Sequence, residues 1–141
     1  MTMPGPATSA PMNLFEVARR GLSAQMVRMN AAASNLANAG TVAGSAEASY
    51  RPIRTIFAEQ LDRASGLSGV RVAGVIREDA APVKQYNPDH PLADADGNIW
   101  TSPVDENAEL VEMLEASRQY QNMVEALSTA KQLMLDTLRM K

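Results

Sequence analysis

The last segment of the chain, residues 104–141, contains neither glycine nor proline, and it constrains the fold more than any other segment. Acidic residues crowd its start and basic residues its end, which complements the helix macrodipole. The spacing predicts one helix of ~36 residues, roughly 54 Å long at 1.5 Å per residue. Positions at alternating steps of three and four form a mostly apolar heptad seam, namely Leu110, Met113, Ser117, Tyr120, Val124, Leu127, Lys131, Met134, Leu138 and Lys141.

The segment 12–40 predicts a second amphipathic helix. Apolar and small residues recur there at steps of three and four from Leu14 to Leu36, which marks one helix face. Asn13 is a suitable N-cap, and Gly40 suits the position that follows a helix end. Residues 1–11 show no periodicity, so we expect a disordered or extended leader.

Residues 41–103 differ from both helical segments in their sequence pattern. Strand-like sequence occurs at 50–57, 70–77, 82–86 and 99–101, and turn-rich sequence lies between the last two. The expected fold class is mainly α with a small β insert. The amino- and carboxy-terminal helices would form an elongated coiled-coil-like domain. A small β-rich domain, residues 41–103, would lie between the helices at 12–40 and 104–141.

Composition excludes several classes of function. A net charge of -3 and a pI near 5.1 argue against nucleic-acid binding, which needs a concentrated basic face. The chain has no cysteine, which excludes disulfides and thiolate chemistry. It has one Trp, three Tyr and two Phe, too few large side chains for a deep apolar pocket. We therefore expect no nucleic acid, no small-molecule substrate, no metal and no cofactor.

The few candidate chemical motifs have simpler interpretations. His90 is the single histidine, and it stands in a proline-rich loop that offers no nucleophile beside it. The run 94–98 begins like a calcium loop but lacks the later ligands, so we interpret it as a turn. Glu109, Glu112 and Glu115 are interpreted as a solvated acidic first turn, because a helical carboxylate metal site also needs histidines.

The apolar residues are too many for one helix pair to bury. An α-hairpin has a single contact line, whereas this chain has the heptad seam, a second apolar side of the last helix and the amino-terminal stripe. Leftover apolar stripes of this size indicate further helices from other copies or partners. The residues alone therefore favour an assembly protein.

Several motifs, in order along the chain, resemble a known family. Gly21-Leu22-Ser23-Ala24-Gln25 and then Ala33-Ser34-Asn35-Leu36-Ala37-Asn38 closely resemble the amino-terminal helix of bacterial flagellar axial proteins. The loop 87–97 resembles that of the proximal-rod members of this rod and hook family. Parts of the last segment, such as Ala116-Ser117-Arg118-Gln119-Tyr120-Gln121, resemble their last helix.

The resemblance implies a structural subunit of the flagellar basal-body proximal rod, not an enzyme. The rod is the tubular drive shaft that transmits torque for motility and forms part of the export channel. Implied partners are other copies of the chain, other rod proteins, and the base of the rod at the membrane ring and export apparatus. The implied location is the periplasmic rod, reached through the flagellar type III secretion system without a cleaved signal peptide.

Fifteen residues are the candidates for the assembly interface. They combine the amino-terminal stripe, the asparagines of the family-like motif and the heptad seam: Leu14, Leu22, Met26, Met29, Ala33, Asn35, Leu36, Asn38, Leu110, Met113, Tyr120, Val124, Leu127, Met134 and Leu138. Two alternatives remain open, another rod protein of the same axial family and a secretion-system chaperone or adaptor with a helical hairpin. A small hydrolase that uses His90 and an acid such as Asp89 is a weaker third.

Overall fold

The computed structural model describes residues 13–141, so the leader expected at 1–11 lies outside the described residues. Two helices and five strands occur in this range. Along the chain they are α1 (Leu14–Ala37), β1 (Val42–Ala43), β2 (Ile53–Leu61), β3 (Ser68–Arg77), β4 (Val83–Tyr86), β5 (Asn98–Thr101) and α2 (Glu106–Arg139). The strand-like segments of the sequence correspond to β2–β5, and β1 has no counterpart among them.

The expected fold class, mainly α with a small β insert, is wrong. The strands form two antiparallel sheets, a three-stranded sheet in the order β1-β5-β4 and a two-stranded ribbon of β2 and β3. Both ribbon strands pack against α1, so the ribbon is not a separate small domain between the helices. The ribbon strands are nine and ten residues long. Strand propensity depends on such packing contacts, which a local sequence pattern does not contain.

Helix α1 begins where its sequence predicts and ends earlier than its sequence predicts. The side-chain oxygen of Asn13 accepts a hydrogen bond from the backbone N–H of Glu16 at 2.9 Å. At the other end Asn38 is the C-cap, and its side-chain amide donates to the carbonyl of Ser34 at 2.8 Å. The position directly after the cap is therefore occupied by Ala39, and not by Gly40 as the sequence predicts.

Helix α2 begins at a carboxylate cap and runs antiparallel to α1. The carboxylate of Asp105 accepts hydrogen bonds from the N–H groups of Asn107 and Ala108, at 2.9 and 3.1 Å. Side-chain contacts join the end of α1 to the start of α2 and the start of α1 to the middle of α2. No helix within residues 13–141 is both long enough and apolar enough to cross a membrane.

Small residues form the contact between the two helices. Among the described residues, the buried apolar set consists of five alanines and one large side chain, Ile99. Ala24, Ala31 and Ala32 lie on α1, and the fully buried Ala116 lies on α2. Because alanine projects only a methyl group, the two helix backbones can approach closely and leave most of the larger apolar side chains outside this contact.

The ribbon lies along α1 and turns near the start of that helix. Gly66 lies in the connection between β2 and β3 with φ of 71°, a left-handed conformation that glycine adopts without strain. The pairing register shifts between Ile56 and Phe57, which marks a β-bulge. Beyond the bulge, Nη1 of Arg20 donates to Oε1 of Gln60 at 2.5 Å and fixes the ribbon against α1.

The three-stranded sheet stands where α1 ends and α2 begins, because β1 follows α1 directly and β5 directly precedes α2. We call this the sheet end of the helix pair, residues 38–52 and 78–105. The opposite end is the ribbon-turn end, where α1 begins, the ribbon turns and the last turns of α2 lie. Gly97, with φ of 78°, closes a tight turn at the sheet end, and a Cβ there would stand 2.9 Å from the ring of Tyr86.

The contact at Gly21 predicts that only a small side chain fits between the helices at this position. A Cβ at Gly21 would lie 2.7 Å from the sulfur of Met123, the mobile end of a flexible side chain. We expect Gly21→Ala to change the free energy of unfolding by less than ~1 kcal/mol, since a better helix former offsets a small shift of Met123. Gly21→Leu should destabilise the chain by ~2 kcal/mol through overpacking.

Thermal unfolding of the purified chain, followed by circular dichroism, measures both effects. In a chain that carries Met123→Ala, the Gly21→Leu change should cost less, because the sulfur is gone. An equal loss with and without Met123→Ala would show that the two residues do not limit the helix spacing.

Candidate assembly interface

Asn35 is completely buried, and its side chain makes four hydrogen bonds. Its Nδ2 donates to the carbonyl of Ile53 at 2.9 Å and to a carboxylate oxygen of Glu109 at 3.1 Å. Its Oδ1 accepts from the N–H of Ile53 at 2.8 Å and from the hydroxyl of Tyr50 at 2.9 Å. An asparagine amide can make four hydrogen bonds, and here all four are made. One side chain therefore joins α1, the first residue of β2 and α2.

Glu109 brings a buried charge into the same cluster. It is 1% exposed, and its second oxygen accepts from Nη1 of Arg54 at 2.6 Å. Nε of Arg54 donates in turn to Glu78 at 3.0 Å, so the buried carboxylate is linked to a half-exposed ion pair. The sequence interpretation of Glu109 as part of a solvated first turn is wrong. A buried carboxylate is tolerable here because both oxygens have partners.

A second ion pair crosses the helix pair one turn further along α2. The guanidinium of Arg28 binds both oxygens of Glu112 in a bidentate arrangement, with Nη2 donating to Oε2 at 2.9 Å. Glu115 lies 3.7 Å from the same guanidinium. The hydrogen bond from Arg28 lowers the pKa of Glu112 below its usual value, against the opposing effect of partial burial. Glu112, the second of the three glutamates that the sequence analysis interpreted as solvated, therefore also has an internal structural role.

The fifteen candidate interface residues fall into three groups by exposure. Asn35 is buried inside the subunit. Seven are half-buried between or beside the helices: Leu22, Met29, Leu36, Asn38, Met113, Tyr120 and Leu127. Seven are exposed: Leu14, Met26, Ala33, Leu110, Val124, Met134 and Leu138. The structure thus divides one sequence-based set between internal packing and the outer surface.

Helix α2 carries apolar residues on the side that faces α1 and also over its exposed surface. The half-buried Met123 and Leu127, with buried Ala116, face α1. At 3.6 residues per turn, a second stripe lies about a third of a turn around the helix. Its members are exposed by 40 to 66%: Leu110, Leu114, Val124 and Leu135. Nothing among the described residues covers this outer stripe.

The ribbon presents a further apolar surface that the sequence reasoning missed. Cross-strand register places Phe57, Leu61 and Val75 on one face and Ile56 and Ile76 on the other, and all five side chains are exposed. A half-buried ribbon keeps its apolar residues on one face, in strict alternation. The sequence did contain a signal for this surface. Ile56 and Phe57 are adjacent in one strand-like segment, and Val75 and Ile76 are adjacent in another, so each strand must carry apolar residues on both faces.

The candidate chemical motifs are turn elements in the structure. Nδ1 of His90 accepts a hydrogen bond from the N–H of Leu92 at 3.1 Å, two residues further on. Oδ1 of Asp94 accepts from the N–H groups of Asp96 and Asn98, at 3.0 and 2.8 Å. Within residues 13–141, no three His, Asp or Glu side chains are grouped so that they could hold a metal ion.

Two family models match the two helical parts of the chain. The model described as flagella basal body rod protein matches residues 15–44, which covers α1 and β1. The model described as flagellar basal body rod FlgEFG protein C-terminal matches residues 95–140, which covers β5 and α2. Together they place the chain in the class of flagellar basal-body rod proteins.

Curated relatives narrow this class. The flagellar basal-body rod protein FlgC of Salmonella typhimurium is 44% identical over 131 residues, 92% of this chain and 96% of the relative. FlgC of Escherichia coli O157:H7 is 43% identical over 129 residues, with the same coverage. FlgC of Yersinia enterocolitica is 42% identical over 127 residues, 90% of this chain and 95% of the relative. The chain belongs to the FlgC family of flagellar basal-body rod proteins, and its function is that of a structural subunit of the proximal rod.

The Asn35 cluster predicts a large loss of stability on truncation. Asn35→Ala would leave the N–H and C=O of Ile53, the hydroxyl of Tyr50 and one oxygen of Glu109 without this partner. We expect the free energy of unfolding to fall by ~3 kcal/mol or more, because buried unsatisfied groups cost about 1–3 kcal/mol each. Urea titration monitored by circular dichroism measures the change.

Asn30→Ala is the matched control, since Asn30 is an exposed residue of the same helix. It should be neutral or slightly stabilising, because alanine has the higher helix propensity. Similar losses in the two variants would contradict a central role for Asn35.

The Arg28–Glu112 pair predicts a pH-dependent contribution to stability. Because the pKa of Glu112 is lowered in the folded chain, its contribution is present above the ordinary value of 4.5 and is lost as the pH falls through the lowered value. The stability difference between the native chain and Glu112→Gln should therefore be largest near neutral pH. It should shrink as the pH falls below 4.5. Thermal unfolding at a series of pH values measures this difference.

Glu125→Gln serves as the control for that series, because Glu125 is exposed on the same helix. Its difference from the native chain should stay small at every pH. A Glu112→Gln difference that grows as the pH falls would have the wrong sign and would refute the assignment.

Proposed function

We propose that the chain assembles into the proximal rod by packing its exposed apolar helix surfaces against neighbouring rod subunits. The observation that carries this proposal is the outer stripe of α2, Leu110, Leu114, Val124 and Leu135, which no described residue covers. Contiguous exposed apolar surface of this kind marks a protein interaction site. The chain is then a structural element of the drive shaft and has no catalytic activity.

The helix pair supplies the stiffness that a drive shaft needs. Torque passes through a rod by many contacts of moderate strength, summed around and along the tube. In each subunit the alanine contact brings the two helices together, and the Asn35 cluster ties them to β2. A subunit with such internal connections transmits load as one body. Its large apolar side chains remain available for neighbours.

The assembly residues divide by role in this proposal. The exposed members, Leu14, Met26, Ala33, Leu110, Val124, Met134 and Leu138, contact other subunits directly. The half-buried members and Asn35 position the helices that carry them. The terminal segments 12–40 and 104–141 form the inner, helical part of the rod, and residues 41–103 lie outside it with the ribbon held against α1.

The neighbours and the location are the finer parts of the proposal. We assign contacts to other copies of the chain, to other rod proteins and to the base of the rod at the membrane ring and export apparatus. The chain reaches the periplasm through the flagellar type III secretion system without a cleaved signal peptide, and the assembled tube encloses part of the export channel. Similarity to basal-body rod proteins supports these assignments.

A charge in the outer stripe should block assembly. Val124 is 45% exposed and lies in the outer stripe, so we expect Val124→Asp to leave the folded subunit intact but to put a carboxylate into the proposed contact. In a strain that carries this variant as its only copy, we expect loss of swimming motility and of complete rods in isolated basal bodies.

Asn122→Asp is the matched control, because Asn122 is exposed on α2 outside the stripe and the substitution adds the same charge. Motility should be retained in this variant. Normal motility and normal rods with Val124→Asp would refute the stripe as an assembly surface.

A further inference from the structure

Charge is segregated between the two ends of the helix pair. The sheet end, residues 38–52 and 78–105, has seven Asp and Glu against two Arg and Lys, a net charge of -5. The ribbon-turn end, residues 13–23, 57–72 and 123–141, has five Asp and Glu against seven Arg and Lys, a net charge of +2. A molecule with opposite charge at its two ends favours head-to-tail contact over contact between like ends.

The positive end includes a cleft of about 220 Å³ between α1 and β3. Its wall is formed by six residues, Arg19, Arg20 and Ser23 from the helix and Val70, Arg71 and Val72 from the strand. Val70 and Val72 are half-buried and supply an apolar surface, and Arg19, Arg20 and Arg71 contribute to the same wall. An acidic loop that also carries small apolar residues matches this combination of groups.

The arginines of the cleft keep positive charge available. Glu16 accepts hydrogen bonds from Arg19 and Arg20, at 2.8 to 2.9 Å, and so fixes both guanidiniums in place. Its single negative charge offsets only one of them. No ion pair joins Arg71 to any other residue in the range 13–141. Glu59, which pairs across the ribbon with Val70, adds a second negative charge beside the cleft. About one positive charge therefore remains uncompensated there.

The negative end presents a matching loop. Residues 89–96 include three aspartates, and Asp89 and Asp96 are exposed without an ion pair among the residues described. Asp94 is used internally as a turn acceptor, which holds the loop in one shape. The neighbouring cations do not neutralise this loop, because Arg51 pairs with Asp79 and Lys84 stands over the ring of Trp100, 5.8 Å from its centre.

The loop of a given copy does not fill the cleft of that same copy. Ser23 lies fourteen residues before the end of α1, about 21 Å along the helix, and the sheet follows only after that end. The two surfaces are also different patches of one chain. A contact between different patches is heterologous, so it repeats from copy to copy and builds a polymer rather than a closed dimer.

We propose that the cleft between α1 and β3 of one copy binds the acidic loop 89–96 of a second copy. The contact deepens the proposed function, on which it rests, because it names two surfaces that meet when copies assemble. In this contact Asp89 and Asp96 of the second copy pair with Arg19, Arg20 and Arg71. The apolar surface of Val70 and Val72 contacts the apolar residues that lie between the two aspartates. Charge complementarity sets the direction of the contact, from the sheet end of one copy to the ribbon-turn end of the next.

The absence of cysteine from the sequence allows a direct test. Ser23→Cys places a thiol in the cleft, and Ala95→Cys places one on the exposed loop. Both full-length variants are co-expressed, with distinguishable tags, in a strain that lacks the native copy, and intact cells are treated with a mild oxidant. We expect a disulfide-linked dimer that carries both tags and is roughly tenfold more abundant than with Asn122→Cys in place of Ser23→Cys.

Charge reversal separates the proposed contact from chance proximity. Arg71→Glu in the cleft chain, or Asp96→Arg in the loop chain, should reduce the mixed dimer roughly tenfold, because like charges then face each other. The two reversals together should restore the dimer. Arg118→Glu, an exposed position on α2, is the control and should have no effect.

Every other outcome overturns the inference. A mixed dimer no more abundant than the Asn122→Cys control would do so, as would a disulfide from Ser23→Cys to another protein or to an identically tagged copy only. Loss of the dimer on charge reversal without recovery in the double reversal would also overturn it. The swimming motility of the same cells distinguishes failure of this inference from failure of the proposed function. Cells that swim but lack the disulfide between Ser23→Cys and Ala95→Cys would retain rod assembly, and only the contact proposed here would be refuted.

Discussion

The Asn35 amide is the interaction on which the rest of the structure depends. Its four hydrogen bonds reach the loop before β2, the first residue of β2 and the start of α2, so three parts of the chain meet at one side chain. A buried polar group is stabilising only when all its partners are present, which makes such a cluster cooperative. Glu109 can be buried as a carboxylate because Asn35 and Arg54 both hydrogen-bond it. These specific polar contacts thus fix the relative positions of the three parts of the chain, which a core of alanines does not specify.

The distribution of side-chain size follows from this arrangement. Alanines occupy the contact between α1 and α2, so the helices lie close and little large apolar surface is buried within one subunit. The larger side chains, such as Leu114 and Leu138, point outward instead. In a monomeric enzyme this would be a liability for aggregation. In the proposed function it is the means of assembly, because those side chains would be buried between subunits.

Some of the structure followed from local patterns. The N-cap at Asn13 is confirmed, and the absence of glycine and proline after residue 104 indicated the long last helix correctly. Fold class and the environment of Glu109 were predicted wrongly. Local periodicity counts a glutamate as a surface residue, and it cannot know that Arg54, far along the chain, will reach it. The same limit explains why the apolar residues of the ribbon were assigned to a small insert rather than to a surface beside α1.

Residues close together in the chain were sufficient to predict the two helices, the cap at Asn13 and the family, because each of these depends on a local pattern. Which apolar stripe of α2 faces α1, and which faces outward, depends on the folded arrangement. The placement of opposite charges at opposite ends of the helix pair depends on it as well. Both are relations between segments distant in sequence, and their energies come from packing and electrostatics in three dimensions, which no local pattern contains.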